Sequence, residues 1–420
     1  MPASRAKQVA AAVLGNALEW YDFVVFGMLT VIIAELFFPG DDPYLSLLKT
    51  TAVFGVGFVM RPIGGLIMGM YADRKGRKAA MQLIIALMTV SLLTIAFAPT
   101  YASIGYGAPA LIVFARLLQG FATGGQYAVA TSFLVEVAPP GRRGLYGSMT
   151  QIGQVLAALG GACAGMFLSV VLTPEQTHAW GWRLPFAVGL LIAPVGVYIA
   201  RHLEESEAFL EHQKSQVQTL ALFVMLRENL RGVLVTFGLV ICGTITYYVI
   251  LIAMPVFAQH QLGIASGEAF KVQVTALVTL LVLTPISGCL ADRYALRPLL
   301  MLGSATMLMV VLPLFHRVHA MPNFANLMLL QVTVCVLFAF YFGAVATAVA
   351  EQFPPSVRST GLSLAYNLAV MLFGGFAQTI VAWLTHTTGD PYAAAYYVMF
   401  GAAVGFSAAC FVRPPQQALP

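Results

Sequence analysis

Charged and polar positions are so sparse along this chain that it divides into twelve long apolar runs, at 9–38, 46–72, 79–98, 107–136, 144–173, 183–201, 230–258, 268–291, 298–316, 325–350, 357–386 and 392–412. Each is bounded by charge or by Pro and Gly. Most reach the roughly 20 residues that an α-helix needs to cross a hydrocarbon layer. They lack the alternation over about ten residues that marks a barrel strand. The pattern predicts an all-α polytopic membrane protein with twelve transmembrane helices. The first run is no cleaved leader, because it is about 30 residues long and holds Asn16, Glu19 and Asp22 within it.

Composition excludes a soluble reading. Of 420 residues 59% are hydrophobic and only 9% charged, against about 25% charged in soluble domains. The net charge of +5 does not point to nucleic acid, since the basic residues form no stripe. It reports topology instead. Sixteen of the 22 Lys and Arg fall at the termini and in the loops on their side, four fall on the other side, and Arg61 and Arg116 fall inside spans. The positive-inside rule therefore places both termini in the cytoplasm. The longest polar connection, 202–229, follows the sixth run. It divides the chain into a bundle at 1–201 and a bundle at 230–420. The five cysteines sit singly in apolar runs with no C-x-x-C pair, so no metal site or disulfide framework is expected.

The two bundles repeat each other. Gly69-x-x-x-Asp73-Arg74 recurs as Gly288-x-x-x-Asp292-Arg293, and Glu136-x-x-Pro139-Pro140-x-x-Arg143 recurs as Glu351-x-x-Pro354-Pro355-x-x-Arg358. Parallel six-helix repeats are a transporter architecture, with the cargo site between the halves near the midplane. GMYADRKGRK at 69–78 resembles the loop signature of the major facilitator superfamily, and RLLQG at 116–120 its proton-coupled fourth-helix motif. GNALEWYDF, RPIGG, GFATGGQY, GWRLPF and LEESEAF resemble the metabolite:proton symporter family, which carries citrate, 2-oxoglutarate, shikimate or proline and betaine. The resemblance spans the whole chain. It departs at Gln126, where many members carry Glu, and at Ala295 and Leu296, where the first copy has Gly76 and Arg77.

Four charges lie deep in span interiors, all in the first bundle: Glu19 and Asp22 on helix 1, Arg61 on helix 2 and Arg116 on helix 4. At about 1.5 Å per residue their depths agree to within a few ångströms. Charges at that depth are costly, and buried ion pairs stabilise little beyond an apolar equivalent, so a working role is the better reading. The resemblance implies that Asp22 facing Arg116 is the proton switch. In that scheme Arg116 keeps Asp22 ionised, an anionic cargo takes Arg116, and Asp22 then takes a proton. Glu19 is the alternative proton acceptor. Arg61 offers a second fork for a carboxylate. Asn16, Gln119, Gln151, Gln154, Tyr247, Tyr341, Tyr366 and Asn367 are the neutral groups expected to complete the cargo site.

The resemblance also implies a cytoplasmic gate at Gly69, Asp73, Arg74 and Arg77. Asp292 and Arg293 are expected to belong to the same gate, and Glu136 and Arg143 with Glu351 and Arg358 to form similar latches. No Walker A, H-E-x-x-H or G-x-S-x-G sequence is present. The expectation is a secondary transporter, not an enzyme. It would sit in the inner membrane of a bacterium and act as a monomer. It would import a small organic acid, citrate first, with protons as the coupling ion and no other cofactor. Other metabolites of the family, including osmolytes, are the alternative. A proton-coupled exporter is less favoured, because 145–172 lacks the proline such members carry.

Overall fold

In the computed structural model, described here for residues 2–40, 42–75, 77–136, 138–194, 227–354 and 357–413, the apolar runs are helices. In chain order they are α1 (Pro2–Met28), α2 (Thr30–Phe37), α3 (Pro43–Lys75), α4 (Arg77–Ala96), α5 (Gly107–Thr123), α6 (Gln126–Glu136), α7 (Arg143–Val171) and α8 (Arg183–Gly189). There follow α9 (Leu230–Gln261), α10 (Ser266–Tyr294), α11 (Leu296–Ala320), α12 (Phe324–Ala350), α13 (Arg358–Ala369), α14 (Ala377–Thr388) and α15 (Ala393–Ala409). Seven rods among the described residues are long and apolar enough to span a membrane, and α1 with α2 makes an eighth, bent span. The broken pair α5–α6 and the shorter apolar helices 82–96, 183–194 and 393–409 fall in the remaining four expected spans. The end of the sixth run and most of the connection at 202–229 lie outside the described residues.

Four of these spans are irregular, and the irregularities have local causes. The first turns by 66° between Met28 and Thr30. The Thr30 hydroxyl donates to the Gly27 carbonyl at 2.7 Å, competing with the helix ladder as serine and threonine do when they bend helices. The fourth breaks at Gly124 and Gly125. The seventh is π-helical over Tyr247–Ala253 and the eleventh over Val370–Gly375. Carbonyls of those stretches accept from side chains on neighbouring helices. Ile250 O accepts from Gln331 Nε2 at 3.3 Å, Leu251 O from Gln273 Nε2 at 2.9 Å and Phe373 O from the Tyr397 hydroxyl at 2.9 Å. Inside a membrane no water would satisfy them.

Helices cross between the halves on two sides. On one side α7 packs along α10, and on the other α3 packs against the π-helical stretch before α14 and against α14 itself. Within the first half, α3 crosses α5 at glycines on both helices. A Cβ on Gly120 would overlap the Gly57 carbonyl, and one on Gly65 would lie 2.9 Å from the Gly124 oxygen. Small residues are what allow such backbone contact. Gly120→Val is expected to force these helices apart at a cost of about 1–3 kcal/mol or more. A lowered thermal midpoint of the detergent-purified protein would show it, and an unchanged midpoint would refute the crossing.

His178, between two spans, meets Glu35 Oε2 of α2 with its Nε2 at 2.5 Å, and its Nδ1 meets Pro174 O at 2.7 Å. The hydrogen bond to Glu35 raises the His178 pKa above its ordinary value. The stabilisation is therefore complete below about pH 6.5 and is lost as pH rises through the raised value. Both groups are largely exposed, so the effect is at most about 1 kcal/mol. The gap in thermal midpoint between the native protein and His178→Gln should be largest in mild acid and close in alkali.

Candidate functional site

A cavity lies between the halves, walled by Trp20 of α1, Tyr127 of α6, Gln151 and Gln154 of α7, Val240, Gly243, Thr244, Tyr247 and Tyr248 of α9, Phe342 and Val345 of α12, and Tyr366 of α13. Its free volume is about 30 Å³, room for about two waters. Contacts between the halves cross on both sides of it. Toward the face where α1 starts, Tyr127 and Tyr366 stack at 3.8 Å across the halves. Asn367 Nδ2 donates to Gly124 O at 2.6 Å, at the break between α5 and α6. Toward the far face, Gln378 Nε2 donates to Gly27 O at 3.2 Å, at the bend of the first span. Tyr44 and His386 stack at 3.8 Å.

Hooks on both sides of the cavity thus sit on the eleventh span, with its π-helical stretch between them. Each catches a carbonyl at an irregular point of the first half. Gln378→Leu removes the far-side hook. It is expected to increase labelling of a cysteine placed at Phe54 by a membrane-impermeant thiol reagent from that side, severalfold over the same cysteine with Gln378 intact. Equal labelling would exclude a gating role for Gln378.

Beside the cavity lie the four buried charges. Arg61 has its guanidinium carbon 4.6 Å from the Trp20 ring centroid, 4.5 Å from Phe23 and 4.2 Å from Phe58. Arg116 lies 4.4 Å from Phe23, 4.6 Å from Phe26 and 5.4 Å from Phe54. It donates one hydrogen bond, from Nη1 to Gln119 Oε1. Among the described residues its Nε and Nη2, and Nε of Arg61, have no partner. Nor do either oxygen of Asp22 and Oε2 of Glu19. The expected contact pair of Asp22 with Arg116 is therefore absent from this conformation. Ion pairs among the described residues are Arg143 with Glu351, His178 with Glu35 and Arg358 with Glu136. The bases rest on aromatic faces, which attract cations, and form no ion pair with either acid.

The neutral residues divide. Gln151, Gln154, Tyr247 and Tyr366 wall the cavity. Asn16 does not; its Nδ2 donates to Thr150 O at 2.8 Å and ties α1 to α7. Tyr341 is also removed from it, because its hydroxyl donates to Leu239 O at 2.6 Å between α12 and α9. Gln119 is engaged by Arg116, and Asn367 by Gly124. Sequence reasoning passed over Trp20, Tyr127, Phe342 and Gln378. Trp20 and Tyr127 stood inside quoted motifs, and Gln378 is a lone amide in an apolar run, a signal that was available. Nothing in the sequence marked Phe342.

At the face where α1 starts, latches cross between the halves. Arg358 Nη1 lies 2.9 Å from Glu136 Oε1, and Arg143 Nη1 lies 3.7 Å from Glu351 Oε1. Each acid pairs with the base of the other copy of the repeated motif. Asp292 accepts from the backbone N–H of Gly144 at 2.6 Å and of Leu145 at 2.9 Å, so its carboxylate caps the positive end of α7. Arg293 stacks on Tyr294 at 5.4 Å and takes no part in these latches. The side chains of Gly69, Asp73, Arg74 and Arg77 lie outside the described residues.

Comparison with known proteins places this geometry among transporters. A family model described as "Sugar (and other) transporter" matches residues 8–229 and 211–414. The citrate-proton symporter of Salmonella typhi is 35% identical over 401 residues, 95% of this chain and 92% of that protein. The proline/betaine transporter of Salmonella typhimurium is 32% identical over 412 residues, 95% of this chain and 81% of that one. A D-xylose-proton symporter crystal structure superposes with a TM-score of 0.76 at 19% identity, over 96% of each chain. The xylose transporter of E. coli, in a partially occluded inward-open conformation, gives 0.77 at 19% identity over 98% of each.

Proposed function

The chain belongs to the sugar (and other) transporter family of the major facilitator superfamily, a proton-coupled, multi-pass symporter of the bacterial inner membrane and not an enzyme, and we propose that its cargo is a small organic anion with two or three carboxylates, citrate or a close analogue. The observation that carries this is the set of unpartnered guanidinium N–H groups on Arg116 and Arg61. A buried donor without an acceptor is costly. A cargo carboxylate satisfies it with charge-assisted, fork-shaped hydrogen bonds.

In the cycle we envisage, cargo enters from the far face when the Gln378 hook and the Tyr44–His386 stack release. Its carboxylates draw Arg116 and Arg61 off their rings, and Asp22 takes a proton, with Glu19 as the second acceptor. The site closes to an occluded form. The latches at Asp292, Glu136 and Glu351 then part, and cargo and proton leave on the other side. The excess of Lys and Arg near the termini assigns that side to the cytoplasm. The cavity holds only water-sized free volume, so cargo binding must spread the halves.

A second reading has its own observation. The cavity walls carry Trp20, Tyr127, Tyr247, Tyr248 and Tyr366, and aromatic cages suit quaternary ammonium groups. A zwitterionic osmolyte would place its cation there and its carboxylate on an arginine. Proteoliposomes under an inward proton gradient separate the two. Citrate accumulation that collapses with a protonophore supports the first reading. Accumulation of betaine or proline with none of citrate would overturn it in favour of the second.

A further inference from the structure

Phe23 is 1% exposed, and both buried guanidiniums lie over its ring, Arg61 at 4.5 Å and Arg116 at 4.4 Å from the centroid. Among the described residues it is the one ring that the two arginines share. Other rings complete each cradle separately: Trp20 and Phe58 for Arg61, Phe26 and Phe54 for Arg116. Phe23 is held in place by Phe58 at 5.1 Å and Trp20 at 6.5 Å. Its chain neighbour Asp22 has both oxygens without a partner. Successive helix residues point about 100° apart, so ring and carboxylate leave α1 in different directions.

We propose that Phe23 is the positioning residue of the anion site, a pad that holds Arg61 and Arg116 on its face while no anion is bound and so keeps them off Glu19 and Asp22. This rests on the reading of the two arginines as cargo-binding. An aromatic face attracts a cation through its quadrupole, more weakly than a buried carboxylate does. An incoming carboxylate therefore displaces a ring and not a salt bridge. The arginines stay available to cargo, and the acids stay available to protons. Without the ring the guanidiniums would settle on Asp22 and Glu19, and the cargo would have to break those pairs first.

The test replaces the ring and keeps the rest. With citrate as the probe in proteoliposomes, Phe23→Leu should raise KM at least tenfold with Vmax within about threefold of the native value. Phe23→Tyr should restore KM. Incorporating pentafluorophenylalanine at position 23 preserves the shape and inverts the quadrupole; it should behave as the leucine variant does. A fluorinated protein with native KM, or a tyrosine variant that fails to rescue, overturns the proposal. The fluorinated protein covers the case in which Phe23→Leu does not fold.

A cargo-free measurement separates this proposal from the choice of cargo. With Trp180, Trp182 and Trp383 replaced by Phe, Trp20 is the remaining tryptophan, and it carries Arg61. Phe23→Leu should shift Trp20 emission, and the shift should vanish when Arg61→Gln is added. A shift that persists in the double variant, or no shift at all, overturns the pad. No citrate uptake by the native protein, together with the Arg61-dependent shift, overturns the cargo reading and leaves the pad standing.

Discussion

Arg116→Gln is expected to lower uptake of a carboxylate cargo by at least a hundredfold. Arg116 is fully buried, with two guanidinium nitrogens that have no partner and a third engaged by Gln119. A fork-shaped pair of charge-assisted hydrogen bonds contributes about 1.5–3 kcal/mol per bond, and each 1.4 kcal/mol is a factor of ten. Glutamine retains a donor but neither the charge nor the fork. Arg116→Lys keeps the charge alone and should fall between, because lysine presents a point charge and stacks poorly. Initial rates of proton-driven uptake against cargo concentration read the effect, with the thermal midpoint as a folding control. A folded Arg116→Gln protein that transports within tenfold of the native rate would remove Arg116 from the cargo site.

Asp22→Asn should abolish accumulation while leaving exchange of labelled for unlabelled cargo within a few fold of native. Asp22 is 1% exposed, and neither of its oxygens has a partner among the described residues. Asparagine fills the same space with a group that cannot gain or lose a proton. An inward gradient of one pH unit supplies about 1.4 kcal/mol per coupled proton, about tenfold in concentration. Loss of coupling therefore removes that factor from the inside-to-outside cargo ratio. Exchange moves cargo both ways through the same site with no net proton movement, so it survives. Glu19→Gln is the companion experiment. If it uncouples the protein and Asp22→Asn does not, the proton is carried one turn earlier on α1.

Much of the fold was legible because membrane crossing leaves a coarse mark. A span of about 20 apolar residues can satisfy its backbone in hydrocarbon as a helix, so the ends of α3, α7, α10 and α12 fall within a few residues of the apolar runs. The repeated motifs were equally plain, and they sit at the inter-half contacts of Glu136, Arg143, Asp292, Glu351 and Arg358. The irregularities were not legible. Thr30 reads as one more small residue in an apolar run, and the bend it promotes depends on its hydroxyl and on Gln378, 348 residues away. The π-helical stretches likewise depend on Gln273, Gln331 and Tyr397, which lie on other helices.

The four intramembrane charges show where sequence ends and tertiary structure begins. The sequence alone determined their kind, their depth and their confinement to the first half, because hydropathy and a fixed rise per residue are properties of one chain segment. It also determined that the chain crosses the membrane many times and which of its motifs repeat. Which charge meets which group was decided only by packing. Arginines and carboxylates at one level invite pairing, yet Phe23, Trp20, Phe58, Phe26 and Phe54 converge from α1 and α3 and take the guanidiniums instead. The same packing assigned Asn16 and Tyr341 to interhelical hydrogen bonds and Gln151 and Gln154 to the cavity. Interaction energies at this range change over an ångström or two, and only the arrangement of the helices around one another fixes distances to that precision.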